Sequence, residues 1–93
     1  MAVAAPPTVD MANASRALAD MDARLAAAGD DAVIDLAGVQ RFDSALLAML
    51  LELRRRRGAA GIRLTGVPDK LLSLARLYGV DELLFGPGVG PAR

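Results

Sequence analysis

The sequence predicts a small α/β domain, and three stretches in succession predict it. Val33, Ile34 and Leu36 form a short, nearly continuous apolar run with two β-branched members, the pattern of a strand buried on both faces. Ser44 to Arg57 follows without Gly or Pro, rich in Leu and Ala, and ends in four arginines before Gly58. That is the order of helix interior, dipole-complementing charge and helix stop. "GIRLTGV", Gly61 to Val67, then reads as a second strand. Strand, helix and strand make a βαβ unit, whose strands should run parallel with a right-handed crossover.

The remaining elements are placed around that unit. Residues 1–7 form an N-terminal segment in which Pro6 and Pro7 lack an N–H for a ladder, so an N-terminal edge strand is expected to be short or missing. From Thr8 to Ala28, Met11, Ala14, Leu18, Met21 and Leu25 recur at spacings of three and four. A helix with one apolar stripe follows, capped by Thr8 or Asp10 and ended by Gly29. Ala37-Gly38 closes the strand at Val33, and Gln40-Arg41 is a polar loop. Pro68 opens a third helix carrying Leu71, Leu72, Leu74, Ala75 and Leu77, stopped by Gly79. "VDELLF" is a short closing segment, and 86–93, "GPGVGPAR", has the composition of a disordered tail.

Composition narrows the function. Ninety-three residues suit one domain with one modest core. Eleven basic and eleven acidic residues cancel, so the chain as a whole has no electrostatic attraction for nucleic acid or an anionic membrane. The absence of Cys excludes disulfides, thiolate catalysis and sulfur-ligated metal. The absence of His removes the commonest general base and metal ligand. No catalytic residue, metal or cofactor is expected. No apolar window reaches the length of a membrane span, and the N-terminus lacks a basic, apolar leader; a cytoplasmic protein without membrane insertion is the reading. Arg54 to Arg57 spray around a helix end with only three aromatic residues in the chain to accompany them, which suits helix-end complementation better than nucleic-acid binding. "GAAG" lacks the Lys-Ser/Thr and following helix of a phosphate loop.

Two features remain. Ser44 begins the central helix and reads as its cap, an exposed hydroxyl where a partner's polar group or a phosphate could sit; Asp43 reads as a turn and cap residue rather than an acid catalyst. With Leu47, Leu50, Leu51 and the stem of Arg54 assigned inward, Leu46, Met49 and Leu53 fall on a flank. A helix apolar on more than one face is buried all round or meets another protein, and in so short a chain a partner is expected there.

The order of parts, and above all "DLAGVQRFDSALLAMLLELRRRRGAAGIRLTGVPDKLLSLARLYGVDELL", resembles the STAS domain, found in the small STAS subunit of the Mla phospholipid transporter and in bacterial anti-sigma factor antagonists. The residues carrying the resemblance are Asp35-Leu36 with Gly38, the Asp43-Ser44 pair opening a Leu-rich helix, a Gly-ended helix before a strand, and "LARLYGVDELL". It implies a STAS-like α/β domain over 8–85, with a small mixed β-sheet and helices packed mainly on one face. Antagonists read Asp-Ser-Ser-Gly-Leu and are phosphorylated on the second Ser, where this chain has Ala45; the Mla-type pattern, Asp then Thr or Ser, Ala, Gly, Leu, fits Asp43-Ser44-Ala45 and departs at Leu46.

The resemblance implies a non-enzymatic subunit whose partner is the cytoplasmic ATPase of an ABC transporter, held peripherally at the inner membrane by that partner. An anti-sigma factor is the alternative partner, with Ser44 the only nearby phosphoacceptor. The expected contact residues are Asp43, Ser44, Ala45, Leu46, Met49 and Leu53, and an open sheet edge predicts a homodimer or dependence on a partner.

Overall fold

The computed structural model describes residues 2–29, 32–58 and 61–85. Along the chain run β1 (Ala2–Ala4), β2 (Thr8–Val9), α1 (Ala14–Ala28), β3 (Val33–Asp35), β4 (Arg41–Phe42), α2 (Ser44–Arg57), β5 (Arg63–Thr65), α3 (Asp69–Leu77) and α4 (Asp81–Phe85). β1, β3 and β5 form a sheet in that order, and β2 pairs separately with β4. The expected mixed sheet is corrected to a parallel one, since all these pairings are parallel. Each pair is linked through a helix, and such crossovers join parallel neighbours. The tail at 86–93 lies outside the described residues.

The N-terminal edge strand is present and short. Pro6-Pro7 does end β1, but the chain resumes pairing as β2, with the Pro7 carbonyl accepting from the N–H groups of Gln40 (2.8 Å) and Arg41 (3.0 Å). The partner strand jogs at the same place: Ala2 faces Val33 while Thr8 faces Arg41, a register change of two residues that the Ala37-Gly38 turn takes up. Val3 and Ala5 are buried in the core, so residues 2–5 pack with the domain rather than preceding it.

Val3, Ile34 and Leu64 stand opposite one another across the sheet. Because strand side chains alternate, these three share a face, and Val3 and Ile34 are buried among Met21, Leu25, Leu46, Leu50, Leu53 and Leu71 of the helices. The opposite face carries Ala2, Ala4, Arg63 and Thr65, all exposed, on either side of the half-buried Val33 and Asp35. One face of the sheet is therefore covered and the other open.

Two helices differ from their sequence expectations. α1 begins at Ala14 because Asp10 and Asn13 close a turn on each other: the Asp10 N–H donates to Asn13 Oδ1 (2.9 Å) and Asp10 Oδ1 accepts from the N–H groups of Ala12 (3.0 Å) and Asn13 (3.1 Å). Short polar side chains that bond nearby backbone compete with helix in this way. Met11 consequently leaves the apolar stripe and stands in the turn, 81% exposed, while Ala17, Met21 and Leu25 are buried. In α3, Leu71, Leu72 and Ala75 are buried, but Leu77 points to solvent.

After β5 the chain turns at Gly66, with φ +63, where a Cβ would lie 2.7 Å from Ala37 Cβ and 2.8 Å from Ala37 N. Only Gly meets both the left-handed backbone and that contact. The turn sets Pro68 as N-cap of α3, and Lys70 lies 5.4 Å from the centre of the Phe42 ring, a cation–π distance.

Candidate functional site

The start of α2 is built from the Asp43 side chain. Asp43 has extended backbone and its Oδ1 accepts from the Ala45 N–H at 2.8 Å, while its carbonyl accepts from the Leu46 N–H at 3.0 Å. Asp43, not Ser44, is therefore the N-cap, a correction with a simple cause: the cap must lie outside the helix, and Ser44 is already helical. The Ser44 side chain is exposed and forms no hydrogen bond among the described residues. Its hydroxyl is not consumed by folding.

The expected flank is not a surface. Leu46 and Leu53 are 0% exposed and Met49 is 3% exposed, because α2 packs against α1, α3 and α4 as well as contributing to the sheet-facing core. Three neighbouring helices bury both apolar flanks of α2, the alternative to a partner surface for a helix apolar on more than one face. Of the six residues expected to contact a partner, Ser44 is exposed and Asp43 half-buried; Ala45, Leu46, Met49 and Leu53 are buried.

What α2 does expose is a ridge of Ser44 and Ala48, one turn apart, with an apolar groove on each side. The groove toward α1 has about 320 Å³ and is lined by Met11, Leu18 and Ala48 over a floor of Ala45 and Met49. The groove toward α3 has about 280 Å³ and is lined by Leu47, Leu51, Tyr78 and Val80. Both contain Ser44 and Ala48. Met11 and Tyr78, 81% and 58% exposed, form the outer banks.

These bank residues escaped sequence analysis for identifiable reasons. Met11 was assigned to a helix that starts three residues later, and Tyr78 follows the last helical residue of α3. Ala48 had a legible signal in its spacing of four from Ser44, which places the two on one helical line.

The other end of α2 is charged and serves packing. Glu52 accepts from Arg55 (2.9 and 2.6 Å) and from Arg56 (2.8 Å), and Arg56 also bridges to Asp22 of α1 at 2.9 Å. The Arg55 and Arg56 guanidiniums hold the Glu52 carboxyl at about 2, below the usual carboxylate range. Arg57 donates to the carbonyls of Leu25 (3.0 Å), Gly61 (3.1 Å) and Gly29. Arg56 and Arg57 thus tie α2 to neighbouring elements, while Arg55 pairs with Glu52 within the helix.

Among the described residues no three His, Cys, Asp or Glu gather as a metal site, no helix is long and apolar enough to cross a membrane, and no charged or polar residue is buried. The arrangement at α2 offers apolar grooves and one unengaged hydroxyl, which is binding chemistry. No curated protein and no solved structure matches the chain significantly. Residues 3–85 match the family described as "Mlab, STAS domain", a span that takes in every described strand and helix apart from Ala2 of β1. The chain belongs to the MlaB-like STAS domain family.

Proposed function

We propose that this STAS domain is an accessory subunit of an Mla-type phospholipid ABC transporter, binding and regulating its cytoplasmic ATPase through the Ser44–Ala48 ridge and the two grooves beside it. STAS domains are protein-interaction and regulatory modules, and membership in the MlaB-like branch favours a lipid-transport partner. The observation that carries the reading is the Ser44 hydroxyl, exposed and unbonded between two apolar grooves. A partner would cover the grooves with apolar side chains and satisfy the hydroxyl at their centre. The protein acts without catalysis, in the cytoplasm, and reaches the inner membrane only through the ATPase.

The test is co-purification with an Mla-type ATPase subunit, followed by calorimetry on Ala48→Glu and Tyr78→Glu. A charge left unpaired in a desolvated contact costs about 3–5 kcal/mol, and about 1.4 kcal/mol is tenfold in affinity. Binding should fall by two orders of magnitude or more while the melting temperature holds. Unchanged binding by both variants would remove the ridge from the contact. Co-purification of a kinase-type anti-sigma factor, with phosphate on Ser44, would establish the signalling alternative.

A further inference from the structure

The β5 side of the molecule carries features that the Ser44 ridge leaves unexplained. β5 ends the order β1-β3-β5, and no strand pairs with its outer side among the described residues. The Arg63 N–H donates to the Ala32 carbonyl (3.1 Å) and the Thr65 carbonyl accepts from the Leu36 N–H (2.8 Å). Alternation along a parallel ladder then turns the N–H and C=O of Leu64 outward, away from β3. Beside this edge lies a trough of about 580 Å³ with Ile62, Leu64, Val67, Leu84 and Phe85 in its wall.

Two cations complete the surface. Arg54, from the last turns of α2, and Arg63, from β5, also line the trough. Arg55 and Arg56 are engaged with carboxylates, whereas the guanidiniums of Arg54 and Arg63 have no ion pair or hydrogen bond among the described residues. In a chain of zero formal net charge, this is a local positive site next to an open strand.

We propose that the outer edge of β5 is a second interaction surface, one that pairs with an extended segment of a partner protein in which apolar and acidic side chains alternate. Leu64 supplies the backbone donor and acceptor. The period of two along an added strand sends the partner's apolar side chains into the trough beside Leu64 and its acidic ones onto the Arg63 face. Arg54 adds to the positive potential from the helix side. An amphiphile such as a fatty acid could use the arginines and the trough, but it has no use for the outward N–H and C=O of Leu64, and that favours a peptide strand.

The experiment is an NMR titration of the isotopically labelled chain with an acetylated, amidated heptapeptide alternating Val and Glu. The Leu64 amide should shift and exchange more slowly with solvent, and binding should weaken as salt is raised. Two changes should each lower affinity at least tenfold: Arg63→Glu, with the melting temperature as a check on its fold, and N-methylation of every second peptide residue, which leaves the protein untouched. The proposal is overturned if the Leu64 amide stays unmoved at millimolar peptide, if the N-methylated peptide binds equally well, or if shifts fall only at the Ser44–Ala48 ridge. It is equally overturned if dodecanoate shifts the trough and the peptide does not, or if the Leu64 amide of the peptide-free chain is already protected from exchange at concentrations where the chain self-associates.

Discussion

At the scale of single residues, α2 separates positions that hold the fold from positions free to serve a partner. Leu53 is wholly buried and Ala48, five positions earlier, is exposed. Leu53→Ala should cost about 2–5 kcal/mol through lost burial and the cavity left behind, and Leu53→Glu should unfold the chain because the carboxylate has no counter-charge in the core. Ala48→Glu should shift stability by no more than about 0.5 kcal/mol. Chemical denaturation of the three variants checks the order; a folded Leu53→Glu would mean that α1 does not cover that side. The excess of apolar residues on α2 was legible in the sequence, but its meaning was not. Leu46, Met49 and Leu53 suggested a partner because so short a chain, with helices on one sheet face, was expected to leave that flank uncovered, and α1, α3 and α4 pack against α2 instead. Ser44 shows the same limit at one atom: Ser and Asp side by side both satisfy cap chemistry, and only the backbone at Asp43 decides which one does.

At the scale of elements, the joint between α1 and α2 is held by a surface charge network as well as by apolar contact. Glu52 is the centre, accepting from Arg55 and Arg56, while Arg56 reaches Asp22 on α1. Its carboxyl is lowered from 4.5 to about 2, first by the Arg55 hydrogen bond and then by Arg56. A carboxylate depressed on folding stabilises the folded state above its unfolded value, and the contribution is lost as pH falls through the folded value. Acidification from 4.5 to about 2 should therefore loosen the joint, and Glu52→Gln should flatten that part of the stability curve. Melting temperatures across this window test it; parallel curves for the two proteins would show that the network is screened out by solvent and salt. The βαβ unit itself was legible, since β3, α2 and β5 fall where apolar runs, arginines and glycines put them. The N-terminal strands were harder to read. Pro6-Pro7 correctly marks a break in pairing, but a matching jog in the partner strand, which no local pattern announces, lets pairing resume beyond it.

At the scale of the whole molecule, a three-stranded sheet leaves two edges, and the two are chemically different. The β5 edge is flanked by Arg54, Arg63 and an apolar trough. The β1 edge has none of these: the Ala5 N–H donates to the Asp35 carbonyl at 3.0 Å, so by alternation the backbone groups of Ala2 and Ala4 point outward, beside small side chains that would not obstruct a second strand. An exposed edge of small apolar side chains is a template for self-pairing. The open edge was foreseeable from the short N-terminus and Pro6-Pro7, which left the edge strand short or missing; it is short. We therefore expect the isolated chain to dimerise through β1. With three residues in the strand, the dimer should be weak and concentration-dependent, below the size of a stable interface. Ala4→Pro discriminates this from association through Met11 or Tyr78, because it removes one outward N–H and no bond to β3, a place where an edge strand tolerates Pro. Sedimentation velocity over a range of concentrations should show a monomer–dimer equilibrium that Ala4→Pro shifts to monomer. A monomer at every concentration would show that the β1 edge pairs with nothing, and a dimer indifferent to Ala4→Pro would place the self-association elsewhere, at the β5 edge or at the exposed apolar banks beside Ser44.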